Sequence, residues 1–149
     1  MKKSLFVFLM FFFLFKAFSQ TVEQYKDSKV LYIYFNHGKS QEMFLQKNIK
    51  GEIVGEMYYI FFNNNQYEYL IFSHVPSVEE SQVKFEHKSF LKKNKSLILN
   101  AEIMTKKPLS EIIQLFTGKD VYVIDNNYFK NNRIKLEQVR VQSSIPFEM

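Results

Sequence analysis

The sequence predicts an α+β domain: a mainly antiparallel, curled β-sheet of about six or seven strands, with one short amphipathic helix packed on it. Three observations carry this. β-Branched and aromatic runs recur between turns rich in Asn and Gly. One hairpin is apolar on both of its faces, so something must cover each. A single stretch, Pro108 to Phe116, has the spacing of a helix that buries one stripe.

Taken in order, Gln20 to Ser28 is a polar lead-in. Val30-Leu31-Tyr32-Ile33-Tyr34-Phe35 has the side chains that strands prefer. Asn36-His37-Gly38-Lys39 signals a turn, because Asn and Gly accept positive φ. Met43, Leu45 and Ile49 then oppose Glu42, Gln46 and Asn48 in parity, as in a half-exposed strand paired back on the first. Ile53 to Phe62 and Tyr67 to Phe72 flank a tip at Asn63-Asn64-Asn65-Gln66. With Phe62 opposite Tyr67, alternation gathers Tyr58, Ile60, Phe62, Tyr67, Tyr69 and Ile71 on one face. Met57, Tyr59, Phe61, Leu70 and Phe72 gather on the other, interrupted by Glu68.

The stretch from 77 to 107 has no single reading. Ser77-Val78-Glu79-Glu80 has capping-box spacing and could open a helix. Val83 and Phe85, alternating with polar residues, read as a strand instead. Ser89 to Lys95 suits a helical turn, and Leu97 to Met104 has no clean period. Pro108 to Phe116 is clearer: Leu109, Ile112, Ile113 and Phe116 fall at i, i+3, i+4 and i+7, and Gly118 stands where a C-terminal cap belongs. So short a helix is marginal alone. Burying its four apolar side chains contributes on the order of 6–12 kcal/mol before entropy is subtracted, so it must dock on the sheet. Asp120 to Asp125 reads as a buried strand. In the last strand, from Arg133, Ile134 and Leu136 face one way, and Val139 and Val141 have the opposite parity. The slip at Glu137-Gln138 suggests a bulge.

The first nineteen residues belong to none of this. Lys2 and Lys3 precede the eleven-residue apolar run Leu5 to Phe15, then Lys16 and Ala17-Phe18-Ser19. Charge, apolar run and small-x-small make a Sec-type signal peptide over 1–19, cleaved after Ser19. The run is short for an anchor, which needs ~20 residues to span hydrocarbon. With no cysteine in the chain, a bacterial lipoprotein is excluded, as are disulfides and thiolate zinc sites. The remainder, 20–149, is expected to be a single β-rich globular domain, periplasmic or secreted. Abundant Lys, Asn, Ile and Phe beside 4 Gly, 3 Pro and no Trp fit an A+T-rich bacterial genome.

The leader also explains the charge. Three of the 20 Lys+Arg lie in it, leaving 17 against 15 Asp+Glu, a net of +2 in place of +5. That balance gives no basic footprint for nucleic acid. Lys88, Lys92, Lys93 and Lys95 cluster, with Lys106 and Lys107 beyond, and read as a solvated face before they read as an anion contact.

Motifs for chemistry are missing: no HExxH, GxSxG, Walker A or GxGxxG occurs. His37, His74 and His87 have no partner histidine at ligand spacing, and His37 is expected exposed in its turn. Adjacent Glu79 and Glu80 diverge on a helix or a strand, so they are not a paired acid and base. No catalytic residue, cofactor or metal is therefore assigned. What stands out is aromatic content: ten Phe outside the leader and nine Tyr. The function expected is a non-catalytic binding or interaction protein of the periplasm or cell exterior, whose partner is another exported protein. One alternative is a carrier of a small apolar, lipid-like ligand, with Tyr58, Tyr67 and Tyr69 facing it. A small hydrolase with a dispersed site is the other. No membrane span is expected after cleavage.

Overall fold

The computed structural model describes residues 22–63, 65–74 and 83–145. The leader over 1–19, its cleavage point and the Ser77–Glu80 helix signal lie outside the described residues. The described chain forms one open, mixed sheet of eight strands, mostly antiparallel. They are β1 (Val30–Phe35), β2 (Gln41–Lys47), β3 (Ile53–Phe62), β4 (Asn65–His74), β5 (Val83–His87), β6 (Ile98–Asn100), β7 (Asp120–Asp125) and β8 (Arg133–Ser143). Their order is β2-β3-β4-β8-β7-β1-β6, with β5 also paired to β8. The helices are short: α1 (Ser89–Lys93), α2 (Ala101–Met104) and α3 (Leu109–Ile113).

The strand count thus exceeds six or seven, and the connectivity differs from the sequence expectation at one important place. β1 does not pair with β2. It lies between β6 and β7 and runs parallel to both. The reason is burial on two sides: Leu31, Ile33 and Phe35 are in the main core, while Tyr32 and Tyr34 pack into a second cluster on the opposite face. A strand apolar on both faces belongs inside a sheet. β2, exposed along much of its length, takes the edge and pairs antiparallel with β3, Gln41 opposite Ile60 and Met43 opposite Tyr58.

The β3–β4 hairpin forms where expected but one residue out of step. Phe61 stands opposite Tyr69 and Tyr58 opposite Phe72, with an irregularity at Phe61/Phe62 that brings Phe62 to Asn65. A one-residue slip turns every side chain of one strand over. Tyr58, Ile60 and Phe62 therefore share the main core with Leu70 and Phe72, and Tyr69 and Ile71 share the other face with Tyr59 and Phe61.

β8 carries no bulge. Its pairings with β4, β5 and β7 each run without a shift. The change of parity records a change of core instead: Ile134 and Leu136 join Ile124 in the second cluster, and Val139 joins the main one. β5 continues along β8 where β4 leaves it, with His74 opposite Val139 and Val83 opposite Glu137. The strand reading of Val83 and Phe85 is the one that holds.

Helix α3 docks as its stripe requires. Leu109, Ile112 and Ile113 are buried, as is Phe116 in the 3₁₀ turn Gln114–Phe116 that prolongs it. Phe116 meets Phe72 edge-on at 5.7 Å, and Gly118 takes φ +68° to end the segment. On the opposite face α1 packs Phe90 and Leu91 into the second cluster and leaves Lys92 and Lys93 in solvent, a solvated helix face.

Candidate functional site

Along the main face the strands begin apolar and end polar. Period-two alternation carries β1 through Leu31, Ile33 and Phe35 towards His37, and β7 through Val121 and Val123 to Asp125. β4 runs Leu70, Phe72, His74. β8 read backwards gives Val139, Glu137, Lys135, and β3 read backwards gives Phe62, Ile60, Tyr58, Glu56. Strand directions bring the polar ends of all five together. The result is a polar cluster where β1, β4 and β7 finish and where β3 and β8 start.

The contacts are specific. His37 adopts φ +56°, which turns its ring edge-on to Phe35 at 4.8 Å. Its Nε2 lies 2.7 Å from Asp125 Oδ1 and 2.8 Å from Asn127 Nδ2. Asp125 Oδ1 also accepts from the Asn127 backbone N–H at 2.8 Å, capping the 3₁₀ turn Asn126–Tyr128. That turn aims Tyr128 at Glu56, to which its phenol donates. Tyr58 donates to the other oxygen of Glu56 at 2.6 Å. Lys135 Nζ sits 2.7 Å from Glu137 Oε2, 3.7 Å from Glu56 Oε2 and 4.6 Å from the centre of the Tyr128 ring. His74 Nδ1 meets Glu137 Oε1 at 2.9 Å. Gly55 makes room for His74, since a Cβ on Gly55 would lie 2.7 Å from His74 Cβ.

Burial gives these contacts their weight. The side chains of Asp125 and Glu137 are only 2% and 5% exposed. Carboxylates so buried survive as charges only when paired and hydrogen-bonded. Burial first, then the bond to Glu56, holds the Tyr58 phenol far above its ordinary range. For Tyr128 the bond to Glu56 is the larger cause and burial the second. Both phenols are therefore permanent donors at neutral pH. Asp125 Oδ2 and the neighbouring Asn126 Oδ1 are buried with no hydrogen-bond partner among the described residues, and Glu137 Oε2 has its ion pair with Lys135 alone.

His37 is exposed in its turn, as expected, yet its ring reaches the Asp125 carboxylate, and His74 joins the same cluster. His87 stays apart, bonded to Ser89 Oγ at 3.1 Å. No serine hydroxyl among the described residues enters the network. Among the described residues no three His, Asp or Glu side chains converge on a point that would hold a metal ion. The cluster can hold protons and fix strand ends.

Of the three tyrosines named from sequence, the fold brings none together. Tyr58 is inside the main core, Tyr69 is on the opposite face, and Tyr67 is 85% exposed beside the hairpin irregularity. The slipped register is the cause. A shallow recess of ≈ 290 Å³ lies elsewhere, lined by Asn36, Ser40, Gln41, Asn100 and Thr105 among others, and it is polar.

The slip creates a second feature. On the face away from the main core, Phe44, Tyr59, Phe61 and Tyr69 form a ring cluster, with centroid distances of 5.2 Å for Phe44–Tyr59, 5.7 Å for Tyr59–Tyr69 and 6.1 Å for Phe61–Tyr69. None of them belongs to either core cluster. Helix α1 covers this face only over β1, β7 and the first half of β8. The sequence did signal two apolar faces; it had them in the wrong combination.

The chain matches no family model, no curated protein and no solved structure. No helix among the described residues is long and apolar enough to cross a membrane.

Proposed function

We propose that this chain is an exported, non-catalytic interaction protein that binds another exported protein with the aromatic face of β2, β3 and β4. The observation that carries the reading is the ring cluster of Phe44, Tyr59, Phe61 and Tyr69, which packs on itself and on neither core. Met57 and Ile71 extend it, and Glu42, Ser73, Arg140 and Gln142 alternate onto the same face as a polar rim. An aromatic and Met centre within a polar rim is the composition of protein contact surfaces. Export is supported by the order of charge, apolar run and small residues over 1–19. Among the described residues the carrier alternative draws no support from Tyr58, which is buried in the main core, or from the recess beside Asn36 and Asn100.

The test is a photo-crosslinking amino acid placed at Tyr59, and separately at Lys92 on the solvent side of α1, in the native cell. A discrete adduct at 59 and none at 92 supports the reading; no adduct at 59 refutes it. N-terminal sequencing of the same material tests export. It should begin at Gln20, and protein retained inside the cell with Met1 in place would overturn that part.

A further inference from the structure

We infer that β2 is a self-pairing edge: two copies of this chain join through it into one continuous sheet, antiparallel and centred on Phe44. Among the described strands three have a free edge. β6 is only three residues long and leads straight into α2. β5 carries Lys84 and Glu86 on either side of Phe85. Brevity and charge are the usual guards of an edge. β2 is seven residues long, and its charges, Glu42 and Lys47, and its irregularity at Gln46/Lys47 flank a centre, Met43-Phe44-Leu45, that has no guard.

Exposure concentrates at the same place. Among the described residues six large apolar side chains are exposed, and four of them, Phe44, Leu45, Ile49 and Ile53, lie in β2, the turn after it and the first residue of β3. Phe44 is 47% and Ile49 107% exposed. Phe44 lies on the aromatic face and Leu45 on the other. A strand that covered this edge would therefore need apolar side chains on both of its faces, and β2 is itself such a strand.

The side chains then choose the register. Residues directly opposite each other must lie on the same face. Centred on Phe44, the pairing sets Phe44 against Phe44 of the second copy, and Met43 against its Leu45. Glu42 meets Gln46 and Gln41 meets Lys47, so no like charges stand directly opposite. The antiparallel sense also brings Glu42 of one copy to the end that holds Lys47 of the other. A parallel pairing would align Lys47 with Lys47 and Glu42 with Glu42. The two aromatic faces fall on the same side of the joined sheet, bridged by the Phe44 pair.

A single strand edge is narrow against the ~800 Å² per partner of a standard interface. The dimer is therefore reversible and concentration-dependent. It does not rest on the partner reading above. A strictly monomeric protein would sink this pairing and leave that reading intact, and a missing adduct at Tyr59 in a dimeric protein would do the reverse.

Sedimentation velocity across a concentration series tests it. Phe44→Lys and Phe44→Glu, both at a surface position, should each weaken the dimer at least ~10-fold, which is about 1.4 kcal/mol. Mixed in equal amounts, the two should pair again, because residue 44 faces its own copy. Phe44→Cys gives a second readout in a chain that has no cysteine of its own. Opposite residues of an antiparallel pair have Cα atoms ~4.5–5.5 Å apart, within disulfide reach, so mild oxidation should link it, and Ile49→Cys should not link. A monomer at the highest soluble concentration overturns the proposal. So does a dimer that survives Phe44→Lys, or that fails to cross-link at 44.

Discussion

Lys135→Met should cost far more than its place near the surface suggests. Among the described residues Lys135 is the one ammonium within the polar cluster, 2.7 Å from Glu137 and 3.7 Å from Glu56. Removing it leaves Glu137, with a side chain only 5% exposed, holding a buried negative charge on an oxygen that no donor satisfies. Breaking a buried pair typically costs ~3–5 kcal/mol. Because the Lys135 side chain is itself 21% exposed, solvent screening reduces this to about 2–4 kcal/mol. Glu56 keeps its two phenol donors and adds little. Urea unfolding gives the number, and Lys135→Met/Glu137→Leu completes the cycle. The double variant should lie closer to the parent than the sum of the two single changes, because no uncompensated carboxylate remains. A Lys135→Met cost below ~0.5 kcal/mol, the range of an exposed pair, would show that the cluster is solvated and that burial does not govern it.

Three further outcomes follow from the same geometry. Tyr58→Phe removes one of the two phenols that satisfy Glu56 and should destabilise by about 1–2 kcal/mol in urea titration, whereas Tyr67→Phe, at an 85% exposed position, should stay within ~0.5 kcal/mol; equal effects would contradict the placement of both. Gly55→Ala forces a carbon to 2.7 Å from His74 Cβ, an atom fixed to the backbone, so β3 and β4 must part; about 1–3 kcal/mol is expected, with a shift in the His74 imidazole NMR signals, and an unchanged spectrum would refute the contact. In alkali, Tyr58 and Tyr128 stay protonated in the fold above the ordinary phenol range, while the unfolded chain ionises at about pH 10. Stability is thus fully present below pH 10 and falls as pH rises beyond it. Tyrosinate absorbance should show late phenols that titrate only with unfolding, and nine phenols titrating together in a folded chain would refute this.

Much of the skeleton could be read from local pattern. The i, i+3, i+4, i+7 stripe located α3, and the apolar runs located β1, β3, β4 and β7, because periodicity reports burial wherever a single core dictates it. The same logic misled at β8, where two cores on opposite faces ask for opposite parities and a continuous strand looks bulged. At the hairpin, Asn63 to Gln66 announced a turn but did not fix its length. One residue of slip was enough to separate Tyr58 from Tyr69.

The sequence alone determined which segments are apolar and where the chain turns, since these depend only on neighbours along the chain. Tertiary structure alone decided that β1 lies between parallel partners, that β2 is an edge, and that Glu56, His37, Asp125, His74, Lys135 and Glu137 meet. Those residues come from four strands and a loop, spread from position 37 to position 137. Nothing in local spacing records which strand ends lie side by side. Register and strand order do, and they are set by pairing over the whole sheet.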